Sequence, residues 1–95
     1  MIEQKTIKAG EKEIEYIKID MYSAPVVMVK GKNGYVMCGY LNLGTAEKLG
    51  DAGAMVRGVK DLDTLLDAKI EDSTSRGKDL GLLPGTRVRD VLHLL

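Results

Sequence analysis

Cys38 is the chain's one thiol and His93 its one imidazole, so any nucleophilic chemistry has to begin with these two residues. Cys38 stands in the run Tyr35-Val36-Met37-Cys38-Gly39-Tyr40-Leu41, where an apolar strand pattern leads through Gly39 toward a helix start. A thiolate there would gain from the dipole of that helix N-terminus. The competing assignment is structural: free cysteine is among the most buried residue types, and strand alternation puts Cys38 on one face with Val36 and Tyr40. A cysteine nucleophile also needs a base within hydrogen-bond reach. His93 faces away from the stripe of Val88, Val91, Leu92 and Leu95, so a Cys–His pair would need that polar face to meet the strand end, within the chain or from a neighbouring subunit. With one cysteine and one histidine, no conventional zinc set fits within one chain.

Anion chemistry has a different set of candidates. Residues 39–45 carry the Gly-x-x-x-x-Gly spacing of a phosphate loop, but Thr45 stands where that loop needs its lysine. Nucleotide hydrolysis is therefore not supported. What remains is Asn42 as a helix N-cap, with amide N–H groups behind it that can hold a small anion and Arg57 as a second contact. The plain alternative is an Asn cap with no ligand. The acidic residues Asp61, Asp63, Asp67, Glu71 and Asp72 do not follow the spacing of a calcium loop. Asp61 reads as a cap, and Asp63 and Asp67 lie one turn apart on a solvated helix face. No metal site and no cofactor are expected.

These residues must be positioned by a single domain, because 95 residues provide one modest core. Fourteen basic residues balance fourteen acidic ones, which removes the basic footprint needed for nucleic acid or for polybasic membrane attachment. No uncharged stretch approaches the ~20 residues of a membrane span. No apolar leader follows the first residues, and one unpaired cysteine suits a reducing compartment, so the expected location is the cytoplasm. The chain has no Phe and no Trp, leaving a core of Leu, Val, Ile and Met that gains from contacts with further copies.

Residues 2–8 and 12–20 flank a glycine-containing turn and read as an opening β-hairpin. Ile14 and Tyr16 fall on one face of the second strand and Ile17 and Ile19 on the other, which calls for a bulge or for cover on both faces. Residues 25–29 and 35–41 are continuously apolar, the pattern of central strands buried on both faces. Asn33-Gly34 between them predicts a type I′ hairpin turn. The pattern then shifts to helical. Asn42 caps a helix ending at Gly50 or Gly53, residues 54–57 form a strand, and Asp61 starts a helix over residues 62–67. Residues 69–71 read as a strand, and Ser73 or Thr74 caps a helix stopped by Gly81. Thr86 caps the last helix. The fold class is α+β: N-terminal antiparallel hairpins form a sheet, with short helices and one or two further strands packed on it. Residues 1–41 are mainly β and residues 42–95 mixed.

The run Gly34 to Asn42, the segment Glu47-Lys48-Leu49-Gly50-Asp51, Arg57-Gly58-Val59-Lys60 and residues 62–68 together resemble the YunC-like family of small bacterial and archaeal proteins, a domain of unknown function. The helix before Leu80-Gly81 and the following Pro84-Gly85 also fit, while Arg76-Gly77 and Leu83-Pro84 depart from the family pattern. The resemblance implies an N-terminal β region that mediates tetramer formation and carries no catalytic residues over. The expected function is a non-catalytic homo-oligomeric binding or assembly module, with a small anion at Asn42 and Arg57 as a variant. The alternative is a thiol-dependent enzyme using Cys38 in a site shared between subunits.

Overall fold

In a computed structural model describing residues 1–95, β1 (Ile2–Ala9) and β2 (Lys12–Ile19) close into a hairpin over Gly10 and Glu11. Gly10 adopts φ 67°, which a two-residue hairpin loop requires and glycine tolerates without strain. The register runs without interruption from Ala9↔Lys12 to Ile2↔Ile19, so β2 has no bulge against β1. Its residues divide between two faces instead. Ile14 and Tyr16 are buried, whereas Ile17 and Ile19 lie half-buried on the other side.

The sheet continues through β3 (Val26–Lys30), β4 (Tyr35–Met37), β5 (Gly53–Met55) and β6 (Asp72–Ser73), with all six strands in chain order. Every neighbouring pair is antiparallel except β4 and β5, which run parallel. Helix α1 (Leu43–Leu49) supplies the crossover that parallel strands need. The chain continues with α2 (Leu62–Asp67), α3 (Ser75–Leu80), α4 (Val88–Val91) and a 3-10 turn over Leu92–Leu94. The α+β class is as expected, with β5 and β6 as the two further strands.

Helices this short are marginal alone and exist because their ends are capped and their apolar faces are buried. Asn42 Oδ1 accepts from the Thr45 N–H at 3.0 Å, Thr74 Oγ1 from the Gly77 N–H at 2.9 Å, and Asp61 forms a reciprocal capping box with Thr64. Gly50 and Gly81, both left-handed, stop α1 and α3. On the inner sheet face Ile14, Tyr16, Val27, Val29, Val36 and Ala54 are at most 1% exposed, in one cluster with Leu65 of α2, Val88 and Val91 of α4, and Leu95. Each such aliphatic side chain contributes roughly 1.5–3 kcal/mol by burial.

Several local expectations are corrected. The strand pattern over 35–41 ends at Met37, although the Cys38 N–H still donates to the Val27 carbonyl at 3.0 Å. The strand over 54–57 ends at Met55, leaving Arg57 in a loop. Residues 69–71 reduce to a single bridge between Lys69 and Arg87, and pairing with β5 begins at Asp72. Thr86 is not a cap; its carbonyl accepts from the Ile70 N–H, and α4 starts after Arg87 with no side-chain cap. The turn at 31–34 is not type I′, since neither Asn33 nor Gly34 has positive φ. Its glycines serve close approach. A β-carbon on Gly31 would collide with the Leu95 backbone, and one on Gly34 with the Ala52 carbonyl, while Leu95 accepts from the Asn33 N–H at 2.6 Å.

Tyr35 ties β4 to the exit of α1. Its ring lies where a β-carbon on Gly53 would meet Cε1 at 2.8 Å, and its hydroxyl donates to Asp51 Oδ2 at 2.9 Å. Burial, then the Asp51 carboxylate, pushes this phenol from 10.0 up to about 12. A folded-state pKa above the unfolded value means that folding favours the neutral form, so the contribution is whole below pH 10 and is lost as pH rises toward 12. Tyr35→Phe should abolish the latest-titrating phenol in an ultraviolet titration and flatten the fall of stability over that window. An unchanged alkaline profile would show that Tyr35 does not titrate late.

Candidate functional site

Two surfaces emerge from the same strands. On the outer face of the sheet, strand register aligns Ile17, Met28, Met37 and Met55 in one row across β2, β3, β4 and β5. All four are half-buried. Ile19 and Val26 form a neighbouring pair, also half-buried, and Ile2 stands opposite Ile19 on β1 with 68% of its surface exposed. The apolar runs of β3 and β4 are therefore buried within the chain on one face only. Val27, Val29 and Val36 point into the core, and Met28 and Met37 point away from it.

The second surface is a cavity of about 340 Å³ beyond the carboxyl ends of β4 and β5. Cys38, Gly39 and Tyr40 line it from the loop after β4, and Arg57, Gly58 and Val59 from the loop after β5, with Ala24 and Pro25 completing the wall. The parallel register Met37↔Met55 brings these loops together. Cys38 is 5% exposed, its sulfur accepts from the Val27 N–H at 3.5 Å, and its thiol lies 4.0 Å from the Pro25 carbonyl. Tyr40 donates its hydroxyl to the Ala24 carbonyl at 3.1 Å. Arg57 Nε donates to Glu71 Oε2, while Nη1 lies 3.5 Å from where a Gly39 β-carbon would stand. The guanidinium is thus held on one edge and open on the other.

Of the residues singled out in the sequence, the structure brings Cys38 and Arg57 to one cavity and leaves Asn42 outside its lining. The Asn42 side chain is engaged as the α1 cap. His93 is exposed in the final turn and does not line the cavity, so the chain's one imidazole does not stand beside Cys38. The acidic residues are dispersed among separate tasks. Asp67 pairs with Arg89, Glu71 with Arg57 and Asp72 with Lys78, and hydrogen bonds from Thr64 hold the Asp61 carboxyl below the usual carboxylate range. Sequence reading missed Ala24, Pro25, Gly39, Tyr40, Gly58 and Val59 as cavity residues. Gly58 adopts φ 73°, a left-handed turn that glycine takes without strain and that its sequence neighbours do not announce.

The family model for a domain of unknown function, DUF1805, matches residues 37–95. The chain is 38% identical over 68 residues to the uncharacterized protein YunC of Bacillus subtilis (strain 168), an overlap of 67% of each chain. Its fold is similar to the crystal structure of TA1206, a protein of unknown function from Thermoplasma acidophilum, with a TM-score of 0.94 and 39% identity over 98% of this chain and 91% of that one. No helix is long and apolar enough to cross a membrane.

A buried sulfur with two weak backbone contacts behaves as a small core group. Cys38→Ala should lower stability by about 1–2 kcal/mol, in the range of small core truncations. Alkylation of Cys38 in the native protein should be slow and should accelerate on unfolding. A native thiol that reacts at the unfolded rate would remove the structural assignment.

Proposed function

The chain belongs to the DUF1805 family, with YunC as a relative, and from that premise we propose that it is a non-catalytic homo-oligomeric module assembled through its N-terminal strands. The observation that carries this reading is the outer-face row Ile17, Met28, Met37 and Met55, apolar across four adjacent strands and only half-buried. An apolar sheet face left part-open to solvent is suited to contact with another surface. Two such faces can stack about a two-fold axis at roughly 10 Å, and methionine side chains adapt readily to an opposing surface.

A second contact is available at the sheet edge. β1 is an outer strand of eight residues. The Asp20 N–H donates to the Met1 carbonyl, so in this antiparallel ladder the odd-numbered residues of β1 turn their backbone groups toward β2. Ile2, Gln4, Thr6 and Lys8 then present free N–H and C=O groups outward. Face contact within one pair and edge contact between pairs would give the tetramer that the family resemblance suggests. The partner in this reading is a second copy of the chain, in the cytoplasm, where the single thiol stays reduced.

Two neighbouring substitutions separate the faces. Val27→Glu buries an unpaired carboxylate in the core and should unfold the chain. Met28→Glu places the charge on the outer face and should leave a folded species of smaller mass in light scattering. A parent protein that is a stable 10.4 kDa monomer at micromolar concentration would end the proposal.

A further inference from the structure

The cavity between the loops after β4 and β5 has a composition that the assembly reading does not use. It offers one cationic group, Arg57, and no carboxylate in its lining. Gly39, Tyr40, Arg57, Gly58 and Val59 lie outside the strands and helices, and their amide N–H groups donate to no acceptor in the molecule. The same lining includes Ala24, Pro25, the ring of Tyr40 and Val59, which are apolar or present apolar surface. About 340 Å³ is at the small end of ligand-pocket sizes. The parallel pairing of β4 and β5 brings both outgoing loops, with their unpaired amides, to one end of the sheet.

We propose that this cavity binds a small monocarboxylate carrying a short apolar tail. The carboxylate takes the free edge of the Arg57 guanidinium and the amides of the two loops, and the tail lies against Pro25, Tyr40 and Val59. Glu71 is a positioning residue: by accepting from Nε it fixes the plane of the guanidinium and leaves Nη1 for the ligand. Because the Glu71 carboxylate already sits on Nε, a second anion meets its negative charge as well as the guanidinium, which favours a carboxylate over a phosphate dianion. The Asn42 cap is not part of this site. The inference is independent of self-assembly, since the cavity residues are not those of the outer-face row.

The experiment is an amide chemical-shift titration of the intact protein with sodium butyrate, sodium acetate and inorganic phosphate as separate probes. Butyrate should shift Gly39, Tyr40, Gly58 and Val59. Acetate should bind about threefold or more weakly, having lost two methylenes of partly buried tail. Arg57→Gln should weaken butyrate binding about tenfold or more, Arg57→Lys should retain part of it, and Arg76→Gln, at an exposed arginine outside the cavity, should change nothing. Met28→Glu should bind butyrate as the parent does even if its assembly is lost. Shifts centred on Asn42 and Thr45, a response unaffected by Arg57→Gln in a protein of unchanged melting temperature, or no response to butyrate would each overturn the proposal. Equal responses to phosphate and butyrate would overturn the assigned ligand class.

Discussion

The burial of Val27, Val29 and Val36 in one cluster with Leu65, Val88 and Leu95 is the contact on which the rest of the molecule depends. The helices of this chain have seven, six, six and four residues, too few for any to persist without a surface to cover. The sheet needs them equally, because β4 and β5 have three residues each and β6 two, with little ladder of their own. With no Phe or Trp to add bulk, the core closes only because Leu92 and Leu95 return to complete it and Leu95 docks against the turn at 31–34. That supply of apolar side chains covers the inner face. Ile17, Met28, Met37 and Met55 remain half-open on the outer one.

The parallel pairing of β4 and β5 has the second large consequence. Antiparallel strands would have sent the two loops to opposite ends of the sheet. Parallel ones send both to the same end, so Cys38 and Arg57 become neighbours across a cavity despite their separation in sequence. β6 then contributes from the far side. It pairs with β5, the Glu71 N–H just before it donates to the Met55 carbonyl, and the Glu71 side chain reaches Arg57. The guanidinium is oriented by a strand-end carboxylate rather than left to swing in solvent, although an exposed pair of this kind adds little to stability.

The sequence made local chemistry legible. Asn42, Asp61 and Thr74 cap the helices they precede because a cap is decided by a side-chain oxygen and an N–H two or three residues away. The period-two pattern of β2 likewise revealed its two faces, though not which would stay open. Contacts made at long range were hidden. Asn33-Gly34 looked like a positive-φ turn, but its glycine is required by the Ala52 carbonyl, and the hairpin is shaped by Leu95. Thr86 looked like a cap until the Ile70 N–H took its carbonyl and drew residues 86 and 87 alongside 69 and 70. The cavity was illegible for the same reason. Cys38 and Arg57 could be named singly, but only the Met37↔Met55 register places them together.

That register also explains how one pair of short strands can present an outer apolar face and a cavity without either compromising the other. Side chains alternate along a strand, so Met37 and Met55 point outward while Val36 and Ala54 point into the core. Cys38 continues the inward direction just past the end of β4, and the loop containing Arg57 follows Val56 just past the end of β5. A substitution at Met37 or Met55 therefore changes the outer surface while leaving the inward neighbours on their own side of the sheet. Only a shift of register would disturb both, because moving either strand by one residue exchanges every inward side chain for an outward one and separates the two loops. The Tyr35–Asp51 hydrogen bond and the close fit of Tyr35 on Gly53 oppose that slip, and so a residue at the start of β4, on the same side as Met37, keeps both in place.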